Sequence, residues 1–347
     1  MPWLALALLT MIAVLLRQPL INGLFAMAEE CSFQWGAYRG TLRLTRAIGM
    51  LGADELMQRS LRQLRVHAHE ALGQTARAVE GARRLADEAR AVGDWSLANT
   101  AINTFINAGL YQDALEVERR WGPREVDDAE ELGPDEQEAL ARFNLCEALY
   151  NLGDWEAARE CLRAVEESPA GEPLLRHALL MQRAWIQAHS GQGAEALATL
   201  ERLNREDIPR VYWSEVTFTR AAALLALRRY DEAGNEAREG LKLARRAAST
   251  RNGLFMLGHI ALAAGRLEEA ARHFEAGAAH PYKGQGGGAL LAWGDCLEKL
   301  GQGERARDAW RLVLERDPQS AAAREAASRL GLAEGSVVNL PPRLHTT

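Results

Sequence analysis

The chain has 347 residues, of which 48% are hydrophobic and 25% charged, with a net charge of −6. That is an ordinary composition for a folded protein, and a small negative balance without a long basic stripe excludes general nucleic-acid binding. The four cysteines, Cys31, Cys146, Cys161 and Cys296, form neither a CxxC pair nor a disulfide framework, which suits a reducing compartment.

Residues 3–16, WLALALLTMIAVLL, are an apolar run of 14, too short alone for a hydrocarbon core of ~30 Å that needs about 20 helical residues. Arg17-Gln18-Pro19 interrupts the run, which resumes through Ala28. A helix over residues 1–28 spans a bilayer if Arg17 snorkels towards the headgroups. Two alternatives stay open: a cleaved secretory signal ending at Ala26-Met27-Ala28, or a buried first helix. No basic residue precedes the run and Arg17, Arg39, Arg43 and Arg46 follow it, so a retained anchor places the rest in the cytoplasm. Cleavage would instead make the protein periplasmic or secreted.

Residues 29–53, with Gly36, Tyr38, Leu42 and Ile48, read as a degraded capping unit that ties the anchor to an array over residues 54–331. Leu61, Leu64, Ala68 and Leu72 open its first clear unit. Turns follow at Gly73, Gly109, Gly153, Gly191, Arg228, Gly265 and Gly301, with Ala78, Ala114, Ala158, Ala196, Ala233, Ala270 and Ala306 five residues after them. The spacings are 36, 44, 38, 37, 37 and 36 residues. The long one holds an acidic insertion, residues 121–138, which reads as a solvated loop rather than a docking segment. Gly284–Gly288 is glycine-rich and precedes a helix, yet lacks the Lys-Ser/Thr of a phosphate loop and reads as a connector. After Pro318 comes a capping helix, and residues 332–347 have no apolar period and read as a disordered tail.

The clearest unit is Leu254–Pro281. Leu254, Leu257, Gly258 and Ala261 share one helical face, as do Leu267, Ala270 and Phe274 on the next helix. Leu290, Trp293, Gly294 and Leu297, then Ala306, Trp310 and Pro318, repeat the scheme. This spacing resembles the tetratricopeptide repeat, with its Leu-Gly, Ala-x3-Phe and terminal Pro. The resemblance implies an all-α fold, an α-solenoid of seven to eight helical hairpins behind an N-terminal membrane helix. It is similar to anchored bacterial repeat proteins of envelope assembly, without the CxxC metal module that some of them carry.

No catalytic or metal motif stands out. His67-Ala68-His69-Glu70 is not HExxH, and His189, His259, His273 and His280 lie in separate units. The expectation is a non-enzyme without cofactor or metal. In the resembled family, ligands lie on the concave surface made by each unit's first helix. Carried onto this chain, that surface holds Asn99, Asn103 and Asn107, then Asn144 and Asn151, whose amides could bond a peptide backbone. Phe143, Tyr150, Trp185, Phe218, Phe255, Met256 and His259 follow as candidate side-chain pockets. The other reading is solvated asparagines and aromatics that fill the space between units. The family's carboxylate clamp is half present: Asn103 and Asn144 match, whereas Asn99 and Gln182 replace a lysine and an arginine. The expected function is a membrane-tethered scaffold for a peptide or partner protein. The alternatives are an exported adaptor or a regulatory subunit of an envelope enzyme.

Overall fold

The computed structural model describes residues 2–121, 136–167, 171–280 and 286–332; most of the acidic insertion, 122–135, and the tail, 333–347, lie outside the described residues. Within them every long element is a helix. α1 (Pro2–Glu29) is followed by a wider π turn over Glu30–Gln34 and by α2 (Tyr38–Met50). Seven hairpins come next: α3 (Glu55–Ala71) with α4 (Thr75–Val92), α5 (Trp95–Asn107) with α6 (Tyr111–Trp121), α7 (Glu136–Leu152) with α8 (Trp155–Glu167), and α9 (Gly171–His189) with α10 (Gly193–Glu201). The last three pair α11 (Trp213–Ala226) with α12 (Tyr230–Leu243), α13 (Ala247–Ala263) with α14 (Leu267–Ala279), and α15 (Gly287–Lys299) with α16 (Gly303–Arg316). α17 (Ala321–Arg329) closes the array.

The turns follow from one backbone requirement. All seven expected turn residues adopt the left-handed conformation, the six glycines at φ between 72° and 83° and Arg228 at 59°. The alanines five residues later are all buried, because each starts the return helix at its closest approach to the outgoing one. Asp54, Asp94 and Ser320 cap α3, α5 and α17 by accepting from backbone N–H groups at 2.8, 2.9 and 3.2 Å. Inside several hairpins a small residue faces a large one. A Cβ added to Gly258 would stand 2.6 Å from the fully buried Phe274 ring. Gly294 and Trp310 repeat the pair, and Gly81 and Val66 reverse it.

The array also touches itself far along the chain. Arg246, just before α13, donates to Glu70 at the end of α3 at 2.8 Å, across 176 residues. Tyr111 Oη donates to Asp317 at 3.5 Å, the Gln112 amide to Gln319 at 3.0 Å, and Arg324 to the Leu152 carbonyl at 2.6 Å. The turn edges of the first three hairpins thus rest on the joints of the last ones, so the superhelix closes edge to edge.

The N-terminal helix departs from expectation at Arg17. Its guanidinium closes the end of α2: Nε donates to the Leu51 carbonyl at 2.7 Å and Nη2 to that of Gly52. Those carbonyls end α2, where unpaired acceptors and the helix dipole both favour a cation. Ile21 then packs with Ile48 and Leu61, all fully buried. The half of α1 from Arg17 to Ala28 is therefore part of the array. Among the described residues no helix is long and apolar enough to cross a membrane.

Candidate functional site

Three of the five asparagines line up on α5 because a step of four residues returns to the same helical face. The structure ties the set to itself. Asn144 Nδ2 donates to Asn99 Oδ1 at 2.6 Å, bridging α7 to α5. Asn107 Nδ2 donates to Asn103 Oδ1 at 3.0 Å and to Glu70 Oε1 at 2.9 Å, bridging α5 to α3. Asn151 Nδ2 bonds the Glu147 carbonyl one turn back. The amides therefore act as struts between successive hairpins, and only Asn103 among those on α5 is exposed.

Glu70 is the hub that the sequence does not announce. Its carboxylate accepts from Arg246, Asn107 and, at 3.2 Å, Thr104. Arg246 also stands 3.9 Å from Glu215 and 5.5 Å above the Tyr212 ring, and Ser249 and Ser214 donate to that second carboxylate at 2.5 and 2.6 Å. Burial pushes the Glu70 carboxyl up, while Arg246 and the two side-chain donors pull it back. Burial would lower the Arg246 guanidinium, but the surrounding Tyr212, Glu70 and Glu215 hold it above its ordinary value. His67, in the same interior, is pushed down to about 3 by burial and by Arg246, so it is neutral at pH 7.

The expected aromatic pockets divide into two groups. Phe218 and Phe255 do not line an open groove. Phe218 lies where Gly240 and Gly253 have no side chains, and Phe255 fills the space over Gly277 and Gly286. Both rings are buried packing, made possible by glycines on the neighbouring helices. Phe143 packs with Ala139, Val165 and Leu179, and Met256 joins the clusters around Ala223 and Leu257. His259 meets Phe274 edge to face at 5.0 Å, and burial together with His189 lowers its imidazole to about 4.

Tyr150 and Trp185 form the other group. Their rings meet at 4.8 Å and 72°, and Trp185 lies 3.9 Å from the His189 ring, so three rings from α7 and α9 run together. The His189 Nδ1–H donates to the Trp185 carbonyl at 2.8 Å. Beside them Cys146, Tyr150, Ala158, Arg159, Gln182, Ile186, His189 and Ser190 enclose a pocket of about 290 Å³. It opens where α8 leans only lightly on α9. Where α14 and α16 carry Phe274 and Trp310, α8 carries the smaller Leu162, which leaves less bulk beside α7. An apolar floor with one arginine, one amide and one imidazole at its rim can take a side chain and bond the backbone beside it. Sequence reasoning named Tyr150, Gln182 and Trp185 but missed Cys146, Arg159 and Ile186, which belong to packing positions in the repeat.

Among the described residues no group of three His, Cys, Asp or Glu could hold a metal ion. Of the glycine stretch, residues 284–285 lie outside the described residues, and the Gly287 N–H donates to Asp317 Oδ2 at 3.0 Å.

No curated protein matches the chain by sequence. Among solved structures it is similar to a Rap protein complexed with competence and sporulation factor, at 13% identity and a TM-score of 0.49, over 86% of this chain and 75% of that one. It is also similar to the APC/C hetero-tetramer Cut9–Hcn1, at 13% identity and a TM-score of 0.32, over 93% and 71%. Residues 289–320, which hold α15 and α16, match the model of a tetratricopeptide repeat family. The same hairpin, with its left-handed turn residue and buried alanine, recurs from α3 onward, so the fold is an α-solenoid of tetratricopeptide-like hairpins, and the family match itself covers residues 289–320.

Proposed function

We propose that the protein is a non-catalytic scaffold that binds a peptide segment or partner protein at the pocket between α7, α8 and α9. The observation that carries this reading is the pocket itself. The Phe274 and Trp310 hairpins fill that place with their own aromatics, whereas Tyr150, Trp185 and His189 stack beside open space. Exposed Asn103 extends the polar rim along the same face. The partner contributes an apolar or aromatic side chain, with backbone groups that meet Gln182 and Arg159.

A photo-crosslinker at Ser190, on the rim, tests this against one at Glu236, a half-buried residue of α12. A partner captured at position 190 and not at 236 should be lost in Trp185→Ala, with an affinity loss of about 2 kcal/mol. Equal capture at both positions, or full affinity in Trp185→Ala with an unchanged melting temperature, would remove the pocket from the function.

The tether is the second half of the reading, with the array in the cytoplasm, as the basic flank requires. Its support is a collar of exposed apolar side chains, Leu16, Leu20, Met50 and Leu56, around the turn that Arg17 clips. The apolar run 3–16 leads into that collar. Carbonate extraction of membranes should retain the full chain and release a variant lacking residues 2–16. Release of both would sink the tether and leave the pocket untouched.

A further inference from the structure

We propose that Cys146 and Cys161 form one oxidation site for small-molecule disulfides, with Cys161 as the attacking thiol and Cys146 as the resolving one. The two sulfurs stand on neighbouring antiparallel helices, α7 and α8, at 3.3 and 3.2 Å from a single oxygen, the Arg142 carbonyl. Neither is in a disulfide. Two sulfurs held against one acceptor are already neighbours, and a disulfide between them requires their approach to about 2.05 Å.

The roles follow from exposure. Cys161 is half-exposed and open to a reagent, whereas Cys146 is buried on the pocket wall. Pairing with the neighbouring Cys146 holds the Cys161 thiol below its ordinary value; the same pairing, with burial, pushes Cys146 up. A thiol with more thiolate and better access attacks first. Cys161 displaces one thiolate from the disulfide RSSR and becomes a mixed disulfide, its proton leaving with the RSH. Cys146 then attacks the Cys161 sulfur and expels the second RSH with its own proton. One RSSR is reduced to two RSH, and the two protein thiols become one disulfide. In a reducing compartment such a bond is transient and regulatory rather than structural. The cross-link joins α7 to α8 on the wall of the proposed binding pocket, yet the chemistry stands whether or not that pocket binds a peptide.

The test exposes the reduced full chain to glutathione and glutathione disulfide in ratios from reducing to oxidising, then alkylates free thiols and maps the peptides. The wild type should lose two hydrogens in a Cys146–Cys161 cross-link, with Cys31 and Cys296 still alkylated. Its melting temperature should rise by several degrees on oxidation and return on reduction. Cys146→Ser should accumulate a stable glutathione adduct on Cys161, and Cys161→Ser should take up none at Cys146. Four alkylated thiols at every ratio would overturn the proposal, as would a persistent glutathione adduct in the wild type. An adduct first on Cys31 or Cys296 would overturn it too. Mapping the wild type keeps the test valid if either serine variant folds poorly.

Discussion

The Glu70–Arg246 contact can be tested by a double-mutant cycle. Both side chains are nearly sealed, at 7% and 12% exposure, so removing either leaves a buried ion without its nearest counter-ion. Glu70→Ala strips Arg246 of its closest carboxylate and removes the acceptor that Asn107 and Thr104 share. Arg246→Ala leaves Glu70 charged in an interior that already raises its pKa. Each single change should cost about 3–5 kcal/mol. Combining the two alanine changes should cost far less than the sum of the singles, because two desolvation penalties disappear together. Urea unfolding gives the cycle. Hydrogen exchange then locates the damage, which should appear in α3 and α13 together, although repeat stability otherwise passes between neighbours. Single costs that add to within ~0.5 kcal/mol in the double variant would show that the two residues do not interact. Exchange loss that decays smoothly from α3 through α5 and α7, with none at α13, would show that the edge-to-edge closure does not form.

Arg228→Gly should stabilise the protein by about 1 kcal/mol in urea unfolding, because a side chain with positive φ is strained where glycine is not; a lower stability would mean that the Arg228 side chain supplies more than the strain costs. Phe274→Ala should destabilise by about 3–5 kcal/mol, with hydrogen exchange rising first in α13 and α14; uniform loss over all hairpins would contradict nearest-neighbour coupling. Asp317 gives a pH signature: burial raises its carboxyl from 3.8 to about 6. The folded state therefore holds the proton more tightly than the unfolded chain, and this stabilisation is complete below pH ~4 and lost as pH rises to ~6, about 3 kcal/mol in all. The stability difference between the wild type and Asp317→Asn should shift in the wild type's favour from pH 7 to pH 4.5, and a difference independent of pH would refute the assignment.

How much was legible depends on how far the deciding contact lies along the chain. The seven turns were readable because a left-handed residue and an alanine five places on are local, and Arg228 was found by its alanine despite lacking glycine's freedom. The helical faces that carry Gly258 and Phe274 were readable for the same reason, though not that the two residues meet. Phe218 and Phe255 were misplaced because their cover comes from absences on other helices: Gly240, Gly253 and Gly277 were present in the sequence but unread. The asparagine stripe was visible, yet a sequence does not say whether an amide's partner lies outside the fold or, as with Asn99 and Asn144, on the next hairpin. Arg17 posed the same problem, since a basic residue inside an apolar helix suits a headgroup layer or the end of a second helix equally well. Glu70 and Arg246, 176 residues apart, left no local trace at all.

That separation sets a timetable for the newborn chain. A ribosome adding roughly 5–20 residues per second needs about 10–35 s to reach Arg246 after making Glu70. During that interval the first hairpins can form locally, but their acidic edge still faces water. It gains its cation only when the sixth hairpin begins to emerge. The early half of the array is thus made in an unfinished state, soluble on the very edge that will later be sealed. Its completion waits on one arginine made long after.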